Sequence, residues 1–408
     1  MTVDADVIVV GGGLNGPALA LALARAGVSV TVIDAQPARA RAETGFDGRA
    51  YALAIASKRL LGAIGVWKRI EANTQPILQI KASDGRAGTG ASRHYLHFDS
   101  GEIEEGPMGF MVEDRHLYAA FLAEMLQTTG LTHIPGTSVT AQEVGPGGIS
   151  VSLSDGRRLT ARMIAGCDGR GSATATRAGI ARTGKPYGQT ALVCAVAHER
   201  PHLGIAQQFF MPSGPLAILP LTGKRCSIVW SETEANARSI AALDDATFLE
   251  VLRPRFGDYL GAISLAGPRF SYPLTLTLAN DYVAPRVALV GDAAHGVHPI
   301  AGQGLNLGFR DVAALAETLV LAARRGEDMG ANDVLTRYQT LRRFDSTVLA
   351  LAMDSVNRLF SNDNPILRSG RDAGLGLVNR VGPLRRAFLR RAAGLSGQLP
   401  ILLTGRPL

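Results

Sequence analysis

The 408-residue chain is long enough for two domains and a large buried core. No long charge-free apolar run suggests a membrane span, and Asp4 and Asp6 stand where a signal peptide would run from basic to apolar residues. Cys167, Cys194 and Cys226 are scattered without metal-ligand spacing, and the net charge of +7 accompanies no nucleic-acid-reading motif, so the expectation is an intracellular, cytoplasmic protein with reduced thiols.

The first element is an apolar run from Asp6 to Val10, the pattern of a buried parallel strand. Gly11-Gly12-Gly13-Leu14-Asn15-Gly16 follows at once, then an Ala/Leu-rich helical stretch to Ala26. A second strand, Val28 to Asp34, ends in an acid. Strand, glycine turn, helix, strand and acid form a dinucleotide fingerprint. Gly11 permits the tight turn, Gly13 lets the backbone approach a pyrophosphate, and Gly16 lets helix and strand pack closely. The free N–H groups at the helix start suit phosphates, as do the flanking Leu14 and Asn15. Asp34, 18 residues beyond Gly16, is placed to accept hydrogen bonds from a ribose, which favours FAD or NAD over NADP.

Asp114 opens a predicted amphipathic helix to Leu126, with Arg115 in its first turn. Gly145-Pro-Gly-Gly148 lies between β-runs with no helix after it, so no second fingerprint exists to hold a nicotinamide. Ser154-Asp-Gly-Arg157 predicts a hairpin turn. The strand after it, Leu159 to Ala165, runs into Cys167-Asp168-Gly169-Arg170-Gly171-Ser172. Successive strands from Gly188 to Tyr272, with a helix near Ala241 to Arg253, predict a sheet.

Arg286 to Val290 predicts a further strand. It leads to Gly291-Asp292-Ala-Ala-His295, then His298-Pro299, Gly302-Gln303-Gly304-Leu305-Asn306, and a long Ala/Leu helix. The glycines bring backbone close to a flat polar ligand, the helix start directs N–H groups at it, and Asp292 suits polyol hydroxyls. His295 and His298 lack further ligands for a metal, and His295 reads as a hydrogen-bonding structural residue.

The tail from Pro365 holds eight arginines and one acid, Asp372, so the whole charge excess lies there. Leu377, Val381, Leu384 and Phe388 share a helical face beside these arginines, with Pro383 able to start a fresh helix. The pattern predicts attachment of the 365–408 tail to an anionic membrane surface or to an acidic partner protein.

The three glycine-containing stretches, in this order, resemble the class A FAD-dependent aromatic hydroxylases of the p-hydroxybenzoate hydroxylase type. A narrower resemblance, to the ubiquinone-biosynthesis hydroxylases, rests on the stretch from His298 to Asp311. It extends to Asp47-Gly-Arg49 with the residues after it, to Gly214–Pro220, to Ser227–Trp230 and to Gly397–Pro400. The Asp-Gly motif departs from relatives in having Cys167 before the acid and Arg-Gly-Ser after it.

The resemblance implies an α/β fold: a Rossmann-like FAD-binding domain, an interleaved β-sheet substrate domain and a helical C-terminal tail. Its boundaries would be 1–75, 100–180 and 280–325 for the FAD domain, 76–99 and 181–279 for the substrate sheet, and 326–408 for the helical region. It places Arg49, Arg115 and Asp168 along the middle of FAD and Gly291-Asp292 at the ribityl chain. Pro299 and the loop from Gly302 to Asn306 go to the flavin ring. Pro215, Leu219 and Pro220 become candidates for the apolar wall over the substrate.

The implied reaction uses NAD(P)H or another electron donor as a transient reductant and O2 as co-substrate. A flavin C4a-hydroperoxide then hydroxylates the ring of a polyprenylated phenol or quinone precursor. No protein acid or base is assigned. Two other readings stay open: a soluble flavin hydroxylase of a small phenol, and a non-catalytic flavin-bound scaffold of a quinone-biosynthesis complex.

Overall fold

The computed structural model describes residues 3–38, 46, 48–88, 90–102, 104–361, 371, 374, 376 and 378–408. Asp47, Pro365, Arg368, Asp372 and Leu377 lie outside the described residues.

The N-terminal strand β1 (Ala5–Val10) feeds helix α1 (Asn15–Arg25), which returns into β2 (Val30–Asp34). β1 pairs in parallel with β2 on one side and with β3 (Arg158–Gly166) on the other. β3 in turn pairs in parallel with β4 (Val287–Leu289), and β2 with Leu131–Pro135. The three sequence-distant stretches therefore end side by side. The C-terminal ends of β1, β3 and β4 open onto one edge, where parallel α/β sheets bind ligands. Among the described residues this sheet has eight strands, including the hairpin Val139–Gly145 and Gly148–Leu153. Both faces are covered. That is why Val7, Ile8, Val9, Val32 and Ile33 form near-continuous apolar runs in buried strands.

A second sheet of nine strands, counted among the described residues, draws on Gln79–Arg86, Gly90–Asp99, the stretches between 182 and 279, and His295–Gly296. Its pairing is antiparallel except where Ile205–Met211 runs parallel to Gln79–Arg86. On its back, two short helices cover a core containing Trp230, Leu216, Ile218 and Phe256. The sequence suggested one helix near 241–253. The structure has Glu234–Ala241 and Asp245–Phe256 instead, because Asp244 accepts a hydrogen bond from Thr247 N at 2.9 Å and starts a new helix.

Helix α2 (Gln303–Arg324) packs on α1 and is followed by α3 (Asn332–Phe360). The tail helix α4 (Gly382–Ala392) begins with Pro383 in its first turn and Val381 as an extended N-cap. The fresh helix expected from Pro383 is thus present, and of the stripe from Leu377 to Phe388, Val381 caps it and Phe388 lies within it. Proline fixes φ, lacks an N–H and starts a new helix there. Val381 and Phe388 are exposed, and Leu389 is the side chain that packs inward. Three tail arginines pair with acids of the body. Arg371 is buried against Asp84 at 3.1 Å, Arg385 pairs with Glu102 at 2.8 Å, and Arg390 with Glu105 at 3.1 Å.

Candidate active site

A cavity of about 600 Å³ lies between the two sheets. Gly13, Leu14 and Asn15 enter it at the start of α1, and Gly302 to Asn306 at the start of α2. Neither helix has a side-chain cap at its N-terminus. Their first N–H groups thus point, unpaired within the helix, at one space. Two helix N-termini also bring partial positive charge to it. That arrangement suits an anionic diphosphate at one end and the electron-rich edge of a reduced ring at the other.

The glycines hold the backbones together. Gly11 has φ +112°, and a Cβ on it would lie 2.4 Å from the Cys167 carbonyl oxygen. A Cβ on Gly16 would lie 1.9 Å from the Gly11 oxygen. Gly12, absent from the sequence-based assignment, sits against Asp34, with a Cβ position 2.2 Å from its Oδ2. Gly291 and Gly302 both have positive φ, +63° and +61°.

Asp34 and Asn15 show what is missing from the protein alone. Asp34 is 7% exposed; Oδ1 accepts a hydrogen bond from Gln36 N, while buried Oδ2 has no partner among the described residues. Asn15 Oδ1 is likewise buried and unpaired. Buried polar atoms without partners are costly, and a ribose hydroxyl at Asp34 would satisfy one. The residues present thus fit FAD.

The loop after β4 is held by a buried ionic network. Asp311, fully buried in α2, accepts from His295 Nε2 at 2.5 Å, from Gly291 N at 3.0 Å and from Arg342 Nε at 2.8 Å. Burial opposes ionisation of Asp311, but His295 and Arg342 hold its carboxyl below the usual range. His295 is thus the hydrogen-bonding residue read from the sequence. Asn306 clips the same loop to Ala50–Ala54. Its Oδ1 accepts from Ala54 N at 2.8 Å and Ser57 Oγ at 2.7 Å, and its Nδ2 donates to Ala52 O at 2.7 Å and Gly302 O at 3.0 Å. The side chain is spent on the protein, which leaves the backbone at Asn306 to face a cofactor.

Of the other residues singled out by sequence, Asp292, Pro299 and Leu219 line the cavity. Arg170, which sequence reading did not assign, lines it too and pairs with Asp292 at 3.1 Å. Asp168 does not line it. Its carboxylate accepts from Ser172 Oγ at 2.5 Å and Thr174 N at 2.8 Å, tying down the short helix Ala173–Arg177. Arg49 lies 3.3 Å from Asp114 and Arg115 2.7 Å from Glu113, both outside the lining. Pro215 is outside the lining as well, and Pro220 alternates onto the strand face carrying Leu216 and Ile218, opposite Ala217 and Leu219. The three cysteines are free and buried, and burial pushes the Cys194 and Cys226 thiols up to about 12, so they are unreactive.

The comparisons follow from this geometry. A family model described as an FAD binding domain matches residues 4–347. The chain belongs to the FAD-dependent aromatic hydroxylases. It is an FAD-dependent monooxygenase of their ubiquinone-hydroxylase branch. It is similar to "Ubiquinone hydroxylase UbiL" of Rhodospirillum rubrum, 47% identical over 407 residues, covering 99% of this chain and 94% of that protein. It is also similar to "3-demethoxyubiquinol 3-hydroxylase" of Escherichia coli, 36% identical, covering 96% and 98%. Among solved structures, p-nitrophenol 4-monooxygenase PnpA from Pseudomonas putida shares the fold. Its TM-score is 0.80 at 20% identity, covering 98% of this chain and 100% of that one.

His298 adds a pH dependence. It is 1% exposed, lies 3.3 Å from Gln189 Oε1 and meets the Tyr187 ring edge-on at 5.0 Å. Burial, reinforced by Arg170 and opposed by Asp354, pushes its pKa down to about 4. The folded state therefore binds fewer protons than the unfolded chain between about pH 4 and 6.5, and stability present above 6.5 is lost on acidification through that window. Urea unfolding across this range is expected to show a loss of about 3 kcal/mol from this group, and His298→Gln should flatten that slope. An unchanged slope in the variant would assign the acid sensitivity to other groups.

Proposed function

We propose that this monooxygenase hydroxylates the aromatic ring of a polyprenylated phenol or quinone precursor in ubiquinone biosynthesis. NAD(P)H acts as the transient reductant and O2 as co-substrate. The observation that supports this reading most is the composition of this cavity: polar and glycine-rich beside two helix N-termini, with a large apolar part as well. Ile77, Ile80, Phe98, Phe210 and Leu219 line the apolar part, which suits an isoprenoid substituent. The names of the Rhodospirillum and Escherichia relatives point to the same substrate class.

Bound FAD supplies the oxygen and redox chemistry. The chain's own residues hold it and shape the space beside it. In this reading Gly11, Gly13, Leu14, Asn15, Gly16 and Asp34 hold the ADP half. Arg49, Arg115 and Asp168 support the middle. Gly291, Asp292, Pro299 and the Gly302–Asn306 segment hold the ribityl chain and ring. Loop N–H groups at the start of α2 would stabilise charge on the reduced ring. The FAD-binding and substrate regions follow the division 1–75, 100–180 and 280–325 against 76–99 and 181–279, with 326–408 as the helical region.

The tail is proposed to attach the enzyme to a membrane surface or to a biosynthetic complex. Support comes from exposed Arg380, Arg386, Arg391 and Arg406 beside exposed Val381 and Phe388. Among the described residues no helix is long and apolar enough to cross a membrane. Charge reversal at Arg380, Arg386 and Arg406 is expected to abolish co-flotation with anionic vesicles or co-purification with other quinone-pathway proteins. Retention of both would remove the role of the tail.

Deletion of the gene, followed by mass spectrometry of cellular quinone precursors, tests the function itself. Accumulation of a prenylated precursor lacking one ring hydroxyl is expected, and normal quinone levels would count against this reading.

A further inference from the structure

We propose that the outer face of helix α3 is a docking surface for an anionic lipid bilayer, with Leu341, Phe344, Leu351 and Leu359 as the side chains that enter it. The inference rests on the reading above, in which a prenylated substrate resides in the membrane. It goes beyond that reading by naming a surface, separate from the tail, that brings the enzyme there.

Helix α3 has two apolar faces. One is spent on the body: Leu335, Tyr338, Ser346, Ala350, Met353 and Phe360 recur at intervals of three, four or eight residues and are buried. The opposite face carries Leu341, Phe344, Val348, Leu351, Ser355 and Leu359, again three or four residues apart. Leu341 is 58% exposed, Phe344 78%, Leu351 52% and Leu359 43%. A single apolar side chain at a surface is ordinary, but a row of them along one helix face marks an interaction site.

Charge decides between the occupants. From Thr340 to Phe360 the exposed charged side chains are Arg343 and Arg358. The acids of this stretch turn to the body: Asp345 accepts from Arg310 and Arg342, and Asp354 from Lys185. Arg343 lies 3.6 Å from Asp281 and Arg358 3.1 Å from Asp354, yet their side chains stay 50% and 68% exposed. An antiparallel pairing of the row with a second copy, centred at Ala350 and Leu351, would bring Arg343 of each chain beside Arg358 of the other. A parallel pairing would set each arginine against its own copy. Like charges brought together in an interface oppose both. An anionic headgroup layer answers both arginines at once, while the apolar row sinks beneath it.

The buried face ties this surface to the cavity. Ala350 and Met353 pack in one cluster with Val297, and the Phe360 ring meets that of Phe210 at 4.1 Å between centroids. Val297 and Phe210 both line the cavity. Docking on the outer face therefore sets the bilayer one helix diameter, about 10 Å, from the cavity wall.

The test uses FAD-loaded full-length protein and vesicles without substrate, either pure phosphatidylcholine or containing phosphatidylglycerol. The wild type is expected to co-float with the anionic vesicles only. Phe344→Gln combined with Leu351→Gln should lower that affinity at least ~tenfold, with bound flavin and turnover of a short water-soluble phenol unchanged. Unchanged affinity in the double variant, or a wild type that ignores anionic vesicles, would overturn the inference. A double variant that still floats but turns from dimer to monomer would make the face an interface between copies and overturn it as well. Flotation lost only on charge reversal in the tail would overturn it and leave the tail reading standing.

Phe344→Trp reads insertion directly. Its emission is expected to shift to the blue on anionic vesicles and to be quenched by brominated acyl chains. Absence of quenching would overturn the inference. Quenching by an enzyme that forms no hydroxylated product from a prenylated phenol would retain the docking surface and refute the hydroxylase reading.

Discussion

Replacing Asp311 by alanine is expected to cost about 3–5 kcal/mol of stability and to empty the protein of flavin. Asp311 is 0% exposed and answers three donors at once: His295, Gly291 N and Arg342. The variant would leave the Arg342 guanidinium, itself 7% exposed, without its main counter-charge in a buried site. An uncompensated buried charge costs far more than the net contribution of the intact pair. A domain of this kind holds only about 5–15 kcal/mol in total, so the loss is a large fraction. The functional effect follows from Gly291, whose N–H loses its acceptor. The turn that presents Asp292 would then no longer be fixed. Asp345→Ala is the control. Asp345 also touches Arg342, at 2.7 Å, but is 35% exposed, so its loss should be much milder. Thermal unfolding and flavin content of the two purified variants check this. Equal effects would mean that burial of the network is not what matters.

Gly16→Ala is expected to weaken FAD binding by roughly 100-fold, about 2.7 kcal/mol. The added Cβ would lie 1.9 Å from the Gly11 oxygen and 3.3 Å from Val9 Cγ1. The clash is with backbone, so no side-chain rotation relieves it. Gly11 cannot retreat either, since it is wedged against the Cys167 carbonyl. Helix α1 must therefore move off the sheet and take its N-terminal N–H groups with it. Gly62→Ala is the matched control: nothing lies within 4 Å of its Cβ position, and it sits in the helix Ile55–Ala63. There alanine should be neutral or stabilising by up to about 1 kcal/mol. Fluorescence titration of the apoproteins with FAD measures the difference. Wild-type affinity in Gly16→Ala would show that close packing of α1 on the sheet is not needed.

These two sites illustrate what was readable in advance. The local geometry at Gly11, Gly16, Asp34 and the Gly291–Asn306 loop was legible because the constraints on it are local. A glycine turn between a strand and a helix constrains its own neighbours whatever the rest of the chain does. The parallel sheet that gathers the three stretches was legible for a related reason, since each stretch follows an apolar strand. The apolar wall was less so. Its residues come from 77–110, 206–229 and 389–393, and no local pattern says that these segments meet. Pro220 stands on the opposite strand face from Leu219 because strand phase, not composition, decides which side chain turns inward. In the tail Pro383 starts a fresh helix, as the sequence allowed, and this leaves Val381 outside it as the cap. The side-chain use of Asn306 and Asp168 was hidden too. Both are spent on the protein's own backbone and serine hydroxyls, which a sequence motif does not distinguish from use on a ligand.

The central claim is FAD-dependent hydroxylation of a prenylated ring, and heavy-isotope dioxygen tests it most directly. Purified, FAD-loaded enzyme is given a prenylated phenol, NAD(P)H and the labelled gas. One product hydroxyl is expected to carry the heavy oxygen, with one reduced nicotinamide consumed for each hydroxyl formed and the second oxygen atom leaving as water. Nicotinamide oxidation that yields only hydrogen peroxide, or a product whose new oxygen comes from water, would contradict the account.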